Sequence, residues 1–164
     1  MVSHMLAAET AGCDVILNCC SSVGDAVDLA RPMMRVPIVK IDDAMAEEAV
    51  KKATAIGVLA TVPTTLDPTA RLIERKAAEA GKSIGITKEL CAGAFEILQS
   101  GDAKRHDEMV LEGIRSIAQK GVDVVVLAQA SMARLVPQLG SDVGVPVLSS
   151  PHSAAQRVKQ VLGI

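Results

Sequence analysis

The sequence predicts an α/β fold with a parallel sheet, and three observations carry that reading. Short β-branched runs alternate with longer amphipathic stretches. The runs are continuously apolar rather than alternating, as in strands covered by helices on both faces. Glycines and prolines stand where elements should start or stop.

The elements follow in order. "DVILN" at 14–18 reads as the first strand, followed by a helical pattern over 24–31. "VPIVK" at 36–40 and a helix over 43–53 repeat the unit. "IGVLAT" at 56–61 leads into a helix over 65–80, with Pro68 near its first turn, where proline is tolerated. Gly81 ends that helix, and "SIGIT" at 83–87 follows. A helix over 103–119 stops before Gly121, and "DVVVLA" at 123–128 is the next strand. A helical stretch at 131–138, "VPVLS" at 145–149 and a helix over 151–162 complete the chain. Strand and helix in alternation imply right-handed crossovers.

Composition narrows the function. The chain has 164 residues, 49% hydrophobic and 22% charged, enough apolar material for a sizeable core. Phe95 is its single aromatic residue, so that core is aliphatic and base stacking is a poor fit. A net charge of −2 argues against a nucleic-acid partner. No apolar stretch approaches the roughly 20 residues needed to span a bilayer. The N-terminus lacks the basic start and apolar run of a signal peptide. With four irregularly spaced cysteines, these features predict a cytoplasmic protein with reduced thiols and no membrane association.

Ligands of open α/β sheets bind at the C-terminal ends of strands. Three such ends carry small polar residues: "VILNCCSSVGDAV", "IGVLATVPTTLDPT" and "VVVLAQASMARLV". Cys20 stands where the first strand stops. A thiol at a helix start meets free N–H groups and a positive dipole end, which favour the reactive thiolate. Ser21 and Ser22 can cap the helix or hold a carboxylate. The competing reading makes Cys20 a small buried residue. Thr61, Thr64 and Thr65 admit the same two readings, cap or anion site. Cys19 should face the other side of the strand and pack in the core, and Cys13 and Cys91 are expected to be structural. His152 reads as a surface or helix-start residue, and "KRHDE" at 104–108 as a solvated helix face. No C-x-x-C pair or histidine ligand spacing suggests a metal. The phosphate-loop, dinucleotide and G-x-S-x-G patterns are absent as well.

Together, "NCCSSVGDA", "IGVLATVPTTLDPT" and "VVVLAQASMA" resemble the aspartate/glutamate/hydantoin racemase superfamily along nearly the whole chain. The resemblance implies two similar lobes with the active site in the cleft between them. The first lobe would comprise 1–54 with 149–164, and the second 55–148. It further implies a cofactor-independent enzyme that moves a proton at the α-carbon of an amino acid or small carboxylate. In the racemases two cysteines act on opposite faces of that carbon. Here Cys20 matches the first, with Ser21, Ser22, Thr61, Thr64 and Thr65 as carboxylate-binding positions. The second cysteine position is Gln129, followed by Ala130 and Ser131. An amide cannot exchange a proton as a thiol does. A single-cysteine decarboxylase of arylmalonate type or a maleate cis-trans isomerase is therefore the alternative, and a non-catalytic carboxylate-binding protein the third. Family members begin with a strand and helix ahead of this segment, so the resemblance implies an incomplete first lobe missing that unit. Homo-oligomers, usually dimers, are expected.

Overall fold

The computed structural model describes residues 1–164. Its main sheet has four parallel strands in the order β4-β3-β5-β6: β3 (Ala55–Ala60), β4 (Gly85–Leu90), β5 (Val124–Leu127) and β6 (Val147–Ser149). A separate parallel pair joins β1 (Ile16–Asn18) to β2 (Ile38–Lys40).

The continuous apolar runs are explained by what lies on each face of β3 and β5. On one face, Ile56, Val58, Ala60, Val124, Val126 and Ala128 pack against helices α3 (Asp43–Lys52) and α4 (Pro63–Glu79). Met45, Ala49 and Val50 of α3 and Leu72 and Ile73 of α4 fill that layer. On the other face, Leu59, Val125 and Leu127 meet Val110, Ile114 and Ile117 of α6 (Ala103–Ala118), with Met132 and Leu135. Successive residues of a strand point to opposite faces, so a strand with two covered faces needs no polar positions.

α1 (Val2–Thr10) and α2 (Gly24–Ala30) cover β1 and β2, where Met5, Val27, Ala30 and Ile38 form a small third cluster. Glu9 ties α1 to the approach of β2, its carboxylate accepting from the N–H groups of Arg35 and Val36 at 2.6 and 2.9 Å. α7 (Ser150–Leu162) closes the chain and packs beside α3. No helix is long and apolar enough to cross a membrane.

Three departures from the sequence expectation have local causes. The helix α5 (Ala94–Gln99) is not foreshadowed; Gly93 opens it with φ +82°, a turn conformation that glycine adopts readily. The 131–138 helix is a 3₁₀ helix spanning Ala130–Gln138, with Pro137 inside it. His106, expected on a solvated face, is 2% exposed, while neighbouring Lys104 and Arg105 face solvent. Its Nδ1 is 2.8 Å from Asp107, whose carboxylate also pairs with Arg134.

Candidate functional site

β1 and β2 end together: the N–H of Ile41 donates to the carbonyl of Asn18 at 2.9 Å. The chain then turns at Cys19 and Cys20, and the Asn18 amide holds the turn by donating to the Cys20 carbonyl at 3.0 Å. Cys20 has extended backbone and leads a single 3₁₀ turn, Ser21–Val23, before α2. Its side chain is exposed.

The other wall comes from β3 and β5. Their register sets Leu59 beside Leu127, so two residues further on Thr61 lies beside Gln129. The Gln129 Oε1 accepts from both the N–H of Thr61 (2.6 Å) and its hydroxyl (2.9 Å). A backbone N–H only donates, so the amide oxygen must face Thr61. The Nε2 group is thereby left with its protons free.

A cavity of about 180 Å³ joins the two walls, lined by Cys19, Cys20, Ser21, Ile41, Thr65, Ala128, Gln129, Ala130 and Ser131. The sequence-expected residues Cys20, Ser21, Thr65, Gln129, Ala130 and Ser131 thus meet at one place. Thr61 is buried behind Gln129, and neither Ser22 nor Thr64 lines the cavity. Instead the Ser22 hydroxyl donates to the Thr64 carbonyl at 2.8 Å, stapling the two walls together. Pro68 explains why that carbonyl is available. It lies four residues on within α4 and has no N–H to donate back. The serines therefore do not cap a helix: no side chain caps either the turn after Cys20 or α2. The Thr65 hydroxyl donates to the Val62 carbonyl at 3.1 Å, a local turn bond.

Cys19, expected in the core, is exposed and lines the same cavity, because β1 has already ended there. Cys91 is half-buried against the second core layer, and burial pushes its thiol up to about 11. Such a thiol is unreactive at neutral pH. His152 is exposed near the start of α7 and pairs with Gln156 at 2.9 Å. No group of His, Cys, Asp and Glu is arranged to hold a metal ion.

Asp42, next to the cavity-lining Ile41 but not itself in the lining, is a buried acidic residue that the sequence reading did not single out. It follows β2 in "KIDDAM" and is 3% exposed. Burial pushes its carboxyl above the ordinary carboxylate range, opposed by the Ser21 hydroxyl on one side and by the charge of Lys40. Its Oδ1 has no hydrogen-bond partner. The signal available was an acidic pair directly after a buried strand.

A larger crevice, about 490 Å³, opens at the start of β2. Among its charged residues Glu47 pairs with Arg157 and with Lys76, and Arg31 with Asp43, while the Arg35 side chain makes no ion pair.

Solved structures of similar fold include a glutamate racemase from Bacillus anthracis (16% identity, TM-score 0.69, covering 92% of this chain and 58% of that one). An allantoin racemase from Klebsiella pneumoniae aligns at 21% identity and TM-score 0.71, over 99% of this chain and 64% of that one. An arylmalonate decarboxylase aligns at 16% identity and TM-score 0.62, over 99% and 74%. The chain thus spans less than two thirds of the two racemases. Among curated proteins none matches it by sequence. At these identities the structures speak for the fold, whereas the model of the Asp/Glu/hydantoin racemase family matches residues 1–158 directly, and the chain belongs to that family.

Proposed function

We propose that this protein moves a proton at the α-carbon of an amino acid or small carboxylate, without a cofactor, with Cys20 as the proton-transfer group. The observation that supports this reading is the cavity in which the exposed Cys20 shares walls with the oriented amide of Gln129. As thiolate, Cys20 takes the proton from the α-carbon and the electron pair remains on the substrate. The Nε2–H of Gln129 faces the carboxylate or carbonyl onto which that charge spreads. Ser21, Thr65 and Ser131 supply hydroxyls along the same wall, and Ser22 with Thr64 sets the distance between the walls.

The Gln129 amide donates hydrogen bonds but is too weak an acid to transfer a proton to carbon, so Cys20 must return one itself. The same single thiol suits a decarboxylation: the carbon–carboxylate bond breaks, carbon dioxide leaves, and the Cys20 S–H protonates the carbanion. The likeness in fold to an arylmalonate decarboxylase favours keeping this second reading.

The deciding experiment follows deuterium entry at the α-carbon in heavy water over a panel of amino acids, hydantoins and malonates. Entry without loss of carbon dioxide is expected, falling by at least about a thousandfold in Cys20→Ala. Entry coupled to carbon dioxide release selects the decarboxylase. A Cys20→Ala protein that still exchanges at the parent rate removes Cys20 from the chemistry. Ligand binding that survives in that variant, with no exchange by the parent, identifies a carboxylate-binding protein.

A further inference from the structure

We infer that Arg75 of α4 is a positioning residue: it grips two carboxylates of α2 and so sets the angle at which the Cys20 turn faces the Gln129 wall. The inference rests on the cavity between those walls being the reaction site, as proposed above, and adds what holds its two sides in place.

The grip is built from two facing charged stripes. Asp25 and Asp28 lie three residues apart on α2, and Arg71 and Arg75 four apart on α4, spacings that put each pair on one helix face. The Arg75 guanidinium donates to both carboxylates, to Asp25 at 2.6 Å and to Asp28 at 3.3 Å. Arg71 adds a longer contact to Asp25 at 3.6 Å. The hydrogen bond from Arg75 holds the Asp25 carboxyl below the usual carboxylate range. Asp28 also accepts from Lys40 of β2 at 2.8 Å, and that lysine is 2% exposed. An ammonium so buried has to keep its carboxylate. Asp28 is therefore fixed from the β2 side, and Arg75 is tied to β2 through it.

The consequence for the cavity follows from where the two helices begin. Cys20 and Ser21 lie at the turn that leads into α2, Thr65 lies in the first turn of α4, and all three line the cavity. The Ser22 hydroxyl on the Thr64 carbonyl joins the two elements there. One bond fixes a separation and leaves α2 free to swing about it. Arg75 lies further along α4 than Thr65 by about 15 Å of helix, and it supplies the second point that fixes the angle. Apolar packing resists such a swing weakly, because α2 contributes only Val27 and Ala30 to a cluster of four buried residues. The Arg75 and Asp25 side chains are 43% and 60% exposed, so the grip is open to screening by salt.

The test reads the facing of the two walls with dibromobimane, which joins two thiols. Ser131→Cys places a second thiol on the Gln129 side in a Cys19→Ser background, and the joined peptides are followed by mass spectrometry. Labelling of Cys20 alone by iodoacetamide is measured in parallel. Arg75→Ala is expected to slow cross-linking at least about threefold while iodoacetamide labelling stays within about twofold. Arg75→Lys, which keeps the charge and reaches one carboxylate at a time, should fall between. Salt at about 1 M should slow the parent to the rate of Arg75→Ala and leave that variant unchanged. A loss of stability alone would move both reagents together. If Arg75→Ala fails to fold, the salt series on the parent decides. Cross-linking that is unchanged or faster in the folded variant or in salt, or that shifts in step with iodoacetamide, overturns the inference and leaves the proposed function standing. Cross-linking as expected without exchange at any α-carbon sinks the proposed function and leaves the grip. No cross-link in the background protein, with both thiols singly labelled, means that the walls do not meet and overturns both.

Discussion

The two sheets of this molecule are stabilised on different scales, and the cavity lies where their strand ends face one another. β3 and β5 lie between two buried layers of 14 and 10 residues, while the pair β1-β2 rests on a cluster of four. β1 also pairs along one edge alone, and Leu17 within it is 40% exposed. The reactive residue, Cys20, stands on the thinly packed side. The fixed amide, Gln129, stands on the heavily packed one. A rigid wall thus holds the hydrogen-bond geometry, and a more lightly anchored wall carries the thiol.

Truncation in each core should show this difference most strongly. Leu59→Ala empties a wholly buried site between β3 and α6, and a loss of about 3–5 kcal/mol is expected from urea unfolding. Val27→Ala in the small cluster should cost about 1–2 kcal/mol. Hydrogen exchange should then quicken in residues 16–40 while β3 and β5 stay protected. Equal losses, or exchange rising uniformly, would mean that the two regions form one cooperative unit.

A closer approach of elements sharpens the contrast at a middling scale. A Cβ added at Gly113 would lie 2.5 Å from the Cys91 sulfur and 3.1 Å from Leu59 Cδ1. Gly113→Ala should therefore destabilise by about 1–3 kcal/mol. Adding Cys91→Ala should recover part of that loss, because the sulfur is the nearest obstacle. Thermal midpoints of the single and double variants test this, and a neutral Gly113→Ala would show that α6 shifts freely.

The smallest expected effect concerns Asp42. Burial raises its folded-state pKa above the ordinary 3.8. Protonated carboxyl is thus favoured in the folded state, and stability is lost as pH rises from that ordinary value through the folded pKa. Asp42→Asn removes the titrating group. Relative to the parent, its thermal midpoint should rise across that window and level off above it. A difference constant from pH 3 to pH 8 would show that the carboxyl ionises as freely in the folded protein as in water.

Particular residues show how much was legible beforehand. "VILNCCSSVGDA" revealed a strand, a turn and a helix because its apolar run ends at small polar residues within a few positions. Cys20 at a strand end was readable for the same reason. The exposure of Cys19 was not, since it depends on β1 stopping at Asn18 rather than one residue later. The role of Ser22 was equally hidden: it needs the carbonyl that Pro68 leaves free in α4, 42 residues beyond Ser22 at Thr64. His106 looked solvated because its charged neighbours dominate the local pattern.

The sequence alone determined the alternation of parallel strands and helices, the polar strand ends and the family, because these depend on periodicity and on short contiguous motifs. Only the tertiary structure decided which way the Gln129 amide faces, since its oxygen is claimed by Thr61, 68 positions away, through the register of β3 with β5. The same holds for the burial of Asp42 just before α3. Hydrogen-bond matching and desolvation are settled by neighbours in space, and chain order does not supply those neighbours.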